Sequence, residues 1–281
     1  MTTGSPDSSR ISELRPDDAA FDISDEADVG ALLRAEEAHF WHRARNSFIL
    51  RKIGALGAGA GSRVLELGCG AGCVSAALAK AGYDVTGVDG HRPLLAVACT
   101  RAPAARFLCH DLRQGLPDAP RGAFDVVGLF DVIEHLDDPV QALADALRFA
   151  KPGGYVVGTV PALMALWSSI DAHAGHKTRY STRTLDATLG NVSGARVLEI
   201  APFFRSLVPL LWAQRRWIDR SGRTDPREHS AAAVSNMSIP PFPINASLLA
   251  ITKAEDALAT LLRRMRIPGA SLWFALQRLK S

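Results

Sequence analysis

Three carboxylates, each near the end of a short apolar run, are the residues here best placed to do chemistry. Glu66 lies in Val64-Leu65-Glu66-Leu67 and is followed at once by Gly68-Cys69-Gly70-Ala71-Gly72. Asp89 closes Asp84-Val85-Thr86-Gly87-Val88, and Asp111 closes Arg106-Phe107-Leu108-Cys109-His110. Glycines at alternate positions permit φ > 0 and let a ligand lie against the main chain. An acid about one βαβ step further on can accept hydrogen bonds from both hydroxyls of a ribose. A tight strand-to-helix turn would explain the glycines alone. Three acids delivered to one edge point instead to a nucleotide-like ligand. Glu66 selects its charge: a carboxylate is repelled by a pyrophosphate and attracted to a cationic amino-acid group. The dinucleotide pattern Gly-x-Gly-x-x-Gly is also absent, because Cys73 occupies its third glycine slot.

A second group lies further along. Glu134-His135 form an adjacent acid–imidazole pair, and His176 stands in Gly175-His176-Lys177-Thr178-Arg179-Tyr180-Ser181. Histidine titrates near neutrality, so His135 or His176 could take a proton from an amine or hydroxyl. The competing reading is that Glu134 and His135 only pin a loop. Asp171, His173 and His176 offer ligand atoms, yet a mononuclear site usually needs three or four ligands of defined geometry. No fourth candidate lies nearby, so no metal is expected.

The elements that must position these groups follow from periodicity. Apolar runs alternate with Ala/Leu-rich helical segments: strand 63–67, helix 72–81, strand 84–88, helix 93–101, strand 105–110, strand 124–129, helix 139–150 and strand 154–160. Such alternation predicts an α/β fold with a doubly wound, mostly parallel sheet and right-handed crossovers. Residues 1–27, rich in Ser, Asp and Pro, are expected to be a mobile tail. Residues 28–60 carry helical spacing and form an N-terminal helical lid, or else a helix docked on the sheet edge. Residues 61–202 with 268–281 make the core, including a strand at 196–200 and a closing strand near 271–276. Residues 203–267 are a helical insertion before that last strand, with a helix from about 246 to 265.

At Arg63 to Tyr155 the sequence resembles the class I S-adenosylmethionine-dependent methyltransferases, whose first motif reads acid-x-Gly-x-Gly-x-Gly. Phe130-Asp131-Val132-Ile133-Glu134-His135-Leu136 is similar to the segment after the fourth strand in the small-molecule branch of that superfamily. The resemblance implies a seven-stranded sheet of order 3-2-1-4-5-7-6 with the last strand antiparallel, and S-adenosyl-L-methionine as cofactor. It implies cofactor-binding roles for Glu66, Gly68, Gly70, Gly72, Asp89, Gly90, His110, Asp111, Leu112, Phe130, Asp131 and His135. Asp111 would accept from the adenine amine, or merely cap its loop. His39-Phe40-Trp41-His42-Arg43-Ala44-Arg45 is similar to a segment of the same branch, with Trp41 over the ligand and Arg45 on the methionine carboxylate. Glu134, His135 and His176 become catalytic candidates. His39, Trp167, His173, His176, Tyr180 and Phe204 become acceptor-pocket candidates.

Composition bounds the rest. The chain has 281 residues, 47% hydrophobic content and formal net charge +3, which makes no case for nucleic acid as a partner. Four cysteines without a Cys-x-x-Cys pattern read as packed thiols of a cytoplasmic protein. No leader is apparent, and no apolar run reaches membrane-spanning length. The apolar stretch 203–212 reads as a roof over the acceptor, with Phe203, Phe204, Trp212 and Trp217, or else as an interfacial helix, since Arg215, Arg216 and Arg220 follow. The expected activity is methyl transfer to nitrogen or oxygen of a small, partly hydrophobic acceptor such as a bacterial secondary metabolite. A non-catalytic cofactor-binding subunit and an NAD-type oxidoreductase are the rivals. Oligomeric state is not legible.

Overall fold

The computed structural model describes residues 11–12, 33–34, 36–115, 117–220, 239–258, 262 and 267–280. Strands β1 (Ile11–Ser12), β2 (Arg63–Leu67), β3 (Asp84–Asp89), β4 (Arg106–Cys109), β5 (Phe124–Phe130), β6 (Ala150–Pro161), β7 (Ala195–Phe203) and β8 (Ser271–Arg278) form one sheet. Their order is β1-β4-β3-β2-β5-β6-β8-β7. All pairs are parallel except β6 with β8 and β7 with β8, so β8 alone runs against the others. Without the two-residue β1, this is the 3-2-1-4-5-7-6 order. β1 lies beside Phe107 and Leu108 of β4. The remainder of the segment read as a tail lies outside the described residues.

Helices cover both faces because successive side chains along each strand point opposite ways. Val64, Val85, Phe107 and Val126 face α1 (Phe40–Ala55), α2 (Cys73–Lys80) and α3 (Arg92–Arg101). Leu65, Val88 and Val127 face α4 (Pro139–Phe149) and α6 (Thr182–Gly190). The short α5 (Ser169–His173) sits between β6 and α6. Several boundaries differ from the sequence reading, the insertion helix also ending at Ala257 rather than near 265, and two of the differences have a clear local reason. β6 begins at Ala150, which pairs with Phe124, and Lys151–Gly154 become a bulge before Tyr155 pairs with Val126. The long helix of the insertion, α8 (Phe242–Ala257), starts four residues early because Pro243 is accommodated in its first turn.

The insertion between β7 and β8 also holds α7 (Val208–Arg220). Glu255 of α8 anchors it: its carboxylate accepts from the amides of Arg205 (2.8 Å) and Ser206 (2.9 Å) and from the Ser206 hydroxyl (2.8 Å). Asn245 clamps the start of α1, accepting from Phe40 N and donating to Ala38 O, both at 2.9 Å. Lys52 pairs with Glu199 of β7 at 2.7 Å, and Phe48 stacks on Phe203 at 4.3 Å. α1 is thus held by both the sheet and the insertion. Among the described residues, no helix is long and apolar enough to cross a membrane.

Candidate functional site

The β2–α2 turn builds the first half of the site. Gly68, Gly70 and Gly72 take φ of +75°, +53° and +72°. A Cβ on Gly72 would lie 2.8 Å from Ala98 Cβ, so that glycine lets α2 close onto α3. One on Gly70 would meet nothing within 4 Å. Gly70 therefore faces open space at the carboxyl edge of the sheet, where open α/β sheets take their ligands.

Asp89 ends β3 beside this turn. Its Oδ2 accepts from Gly70 N and its Oδ1 from His91 N, both at 2.8 Å. Two amides fix the carboxylate, and each oxygen keeps acceptor capacity for a ligand hydroxyl. Burial raises the Asp89 carboxyl against the effect of those amides. Glu66 is buried at the penultimate position of β2 and accepts from the Ser75 hydroxyl of α2. Burial pushes Glu66 up to about 8, despite the Ser75 hydrogen bond and the nearby Arg45 charge. Free of ligand, this carboxyl is mostly protonated near neutral pH.

The neighbouring strand ends complete the rim. Gly90 allows close packing, since a Cβ there would lie 3.2 Å from Asp111 Cα. Asp111 caps the turn Leu112–Gln114 through Arg113 N at 2.9 Å and holds the Arg113 guanidinium at 2.7 Å. The Arg113 hydrogen bond keeps its carboxyl below the usual range. The loop-capping role of Asp111 is thus formed, and an adenine amine would have to share the carboxylate with Arg113. Half-buried Leu112 opens that turn, and His110 Nε2 lies 3.0 Å from Gly115 O.

Phe130 is buried at the end of β5, and Asp131 follows at φ +57°, a left-handed conformation unusual outside glycine. Asp131 accepts from Thr159 Oγ1 at 3.0 Å and pairs with Arg45 of α1. Burial opposes the Arg45 charge, but Asp131, with Cys73 and Glu36, more than compensates and raises the guanidinium further. Arg45 is thus engaged by a side chain of the chain itself, so a ligand carboxylate would have to share it with Asp131. His39 caps α1, its Nδ1 accepting from Trp41 N at 3.1 Å. Trp41 packs on Phe204 with ring centroids 4.2 Å apart. The lid and the insertion therefore meet through Trp41 and Phe204. Phe203 and Phe204 are buried as a roof requires, whereas Trp212 and Trp217 are 50% and 60% exposed.

On the acceptor side, Glu134 and His135 lie on the turn Ile133–His135 after β5. The Glu134 carbonyl accepts from Lys177 N at 2.8 Å, which brings the His176 segment alongside. The His135 and His176 rings meet edge to face at 4.8 Å. Ligand atoms of Glu134, His135 and His176 all lie within 4.8 Å of one another. The Glu134 carboxyl is wholly buried, and neither oxygen has a hydrogen-bond partner among the described residues. Burial, then the Asp131 charge, raises it well above the usual range. Burial and the neighbouring His176 lower His135. Tyr180 is buried, and burial together with Glu134 pushes its phenol up to about 12. Trp167 is half-buried just before Ser168. His173 ends α5, but its side chain is outside the described residues.

Asp171 does not join that group as a ligand candidate. Its Oδ1 lies 3.0 Å from His176 Nδ1 and accepts from Arg179 Nε at 2.8 Å, while Oδ2 accepts from Arg215 Nη1 at 2.5 Å. Burial works against the charge, but His176, Arg179 and Arg215 hold Asp171 well below the ordinary carboxylate range.

Residues 65–158 match the family model described as a methyltransferase domain. Over those residues the chain is similar to a methyltransferase domain, and the sheet around them has the fold of solved methyltransferases. Over 100 residues it is 38% identical to a ubiquinone biosynthesis O-methyltransferase of Methylococcus capsulatus, an alignment covering 34% of this chain and 42% of that protein. The chain thus spans about two fifths of the length of the curated relatives it matches. In structure it is similar to Haemonchus contortus phosphoethanolamine N-methyltransferase 2 in complex with S-adenosyl-L-methionine, with TM-score 0.57 and 19% identity over 92% of this chain and 59% of that one. It is also similar to a putative sarcosine dimethylglycine methyltransferase from Galdieria sulphuraria, with TM-score 0.56 and 13% identity over 84% and 86% of the two chains.

Several residues that shape this cleft escaped the sequence reading. Ser75, which holds Glu66, shares the buried face of α2 with Val74 and Leu78, and a polar residue in that phase was the available signal. Thr159, which holds Asp131, is a polar residue in an apolar strand. Arg179 and Arg215 gave no local sign of converging on Asp171, because one precedes α6 and the other lies on α7.

Proposed function

We propose that this chain is an S-adenosyl-L-methionine-dependent methyltransferase acting on nitrogen or oxygen of a small, partly hydrophobic molecule, with a bacterial secondary metabolite as the acceptor class. One observation carries the cofactor reading: Asp89 is pinned by the Gly70 amide at the mouth of a glycine turn that faces open space, with Glu66 behind it. That arrangement suits a ribose and a cationic amino acid, and it disfavours the pyrophosphate of a dinucleotide. The relatives named above, O- and N-methyltransferases by name, support methyl transfer to either atom.

Transfer from a sulfonium is a direct displacement, so the protein's main task is to align nucleophile, methyl carbon and leaving sulfur. α1 and the insertion, joined through Trp41–Phe204 and Asn245, are suited to closing the cleft against water. His176, half-buried and oriented by Asp171, is placed to act on an acceptor hydroxyl. Four free cysteines support a cytoplasmic setting, and the small net charge supports a small-molecule partner over nucleic acid.

Calorimetry with S-adenosylmethionine and with NAD, followed by a radiolabelled-methyl screen over phenols, amines and sugars, tests the reading. Saturable binding of the sulfonium and label transfer to one acceptor class are expected. His176→Ala should lower turnover and spare cofactor affinity. NAD binding alone would make the domain an oxidoreductase. Normal cofactor affinity without transfer to any acceptor would make it a binding subunit.

A further inference from the structure

We propose that Glu134, His135 and His176 form a mononuclear site for a divalent transition-metal ion on the acceptor side of the cleft. Their ligand atoms lie within 4.8 Å of one another. Bonds of about 2.0–2.2 Å to a single ion set ligand atoms roughly 3–4 Å apart, so small side-chain movements close the group around a cation. Backbone pairing fixes the approach: Glu134 O accepts from Lys177 N at 2.8 Å, locking the 134–135 turn to the His176 segment.

Glu134 is the independent observation. Its side chain is wholly buried, yet neither carboxyl oxygen has a partner among the described residues. A buried carboxyl without hydrogen bonds is costly, and such groups in native folds call for a missing partner. A cation placed between Glu134 and the two imidazoles supplies one.

The histidines already have the outer contacts that metal-bound imidazoles use. His176 Nδ1 is 3.0 Å from Asp171 Oδ1, which leaves Nε2 as its donor. Asp171 is in turn held by Arg179 and Arg215, at 2.6 and 2.5 Å. His135 has a hydrogen bond to the Gly175 backbone. A carboxylate or carbonyl behind each imidazole sets its tautomer and raises its basicity as a ligand. Two nitrogens and one oxygen suit Zn²⁺, Fe²⁺, Co²⁺ or Mn²⁺, whereas Mg²⁺ and Ca²⁺ prefer oxygen-only sets. Three protein ligands also leave a position open. Resting on the methyl-transfer reading, that position would take an acceptor hydroxyl oxygen; the ion, in place of His176 as base, would favour loss of its proton to solvent, and the oxygen would then displace the thioether sulfur from the methyl carbon.

The full chain, stripped with chelator and titrated with Co²⁺ and then Zn²⁺, gives the test by visible absorption and calorimetry. One Co²⁺ per chain, displaced by Zn²⁺ and not by Mg²⁺, is expected. Glu134→Gln and His176→Ala should each weaken Co²⁺ at least 100-fold, and Asp171→Asn about 10- to 100-fold. His176 is only half-buried, so its variant keeps the test sharp even if substitution at Glu134 disturbs folding. Absence of saturable Co²⁺ and Zn²⁺ binding, or binding indifferent to His176→Ala, overturns the proposal. S-adenosylmethionine calorimetry on the same samples separates the two readings: cofactor binding without metal binding sinks only the metal site. Metal binding without cofactor binding sinks only the functional reading.

Discussion

S-adenosylmethionine is expected to expel a proton from Glu66 as it binds. Burial holds the Glu66 carboxyl up to about 8 in the free protein, even with Ser75 donating to it and Arg45 nearby. Pairing with an α-ammonium needs the ionised form. At pH 7 a group titrating at that value is about 90% protonated, so ~0.9 proton leaves per site. The same deprotonation costs about 1.4 kcal/mol at pH 7, and affinity should tighten about tenfold between pH 6 and pH 7. Calorimetry in phosphate and in Tris measures the proton count directly, from the dependence of the observed heat on buffer ionisation. Glu66→Gln should show neither proton release nor pH dependence in that window. The shift has a second consequence. Between the ordinary 4.5 and about 8, the folded state keeps a proton that the unfolded chain sheds, so Glu66 makes the free chain less stable as pH rises. A binding heat independent of buffer, with a Kd flat from pH 6 to 7, would refute the reasoning.

Asp89→Ala should weaken S-adenosylmethionine by about 1–3 kcal/mol in calorimetry, the loss of charge-assisted hydrogen bonds; unchanged affinity would mean the ribose is held elsewhere. Gly72→Ala should lower the melting temperature. The left-handed backbone costs about 1–2 kcal/mol for a residue with a Cβ, before counting the 2.8 Å approach to Ala98 Cβ. Asp171→Ala leaves Arg179, only 6% exposed, without its carboxylate, and should cost about 3–5 kcal/mol in denaturant unfolding. The Asp171 carboxyl is held low in the folded state. Its contribution is therefore present above the ordinary 3.8 and lost as pH falls below it, so wild type and variant should converge in acid.

The sheet and the glycine turn were readable because their causes are local. Near-continuous apolar runs such as Val64–Leu67, with Val85 and Val88 on opposite faces of the next strand, demand burial on both faces, whatever lies elsewhere in the chain. Glycines 68, 70 and 72 announce a backbone that only glycine adopts easily, and all three adopt it. Asp89 was legible as a strand-end acid by its distance from that turn. The boundaries of β6 and α8 were not, because a strand partner and a proline-tolerant first turn moved them.

What the chain order determined alone, then, is the path of the backbone at the sheet edge and the acids it carries there. The tertiary structure decided the state of those acids. Arg45 and Asp131 are 86 residues apart and Arg215 and Asp171 are 44 apart, yet each pair shares a hydrogen bond. Glu134 is wholly buried, and its carboxyl oxygens have no hydrogen-bond partner among the described residues. Charge and desolvation depend on distance in space and on excluded solvent, and only the folded chain sets either.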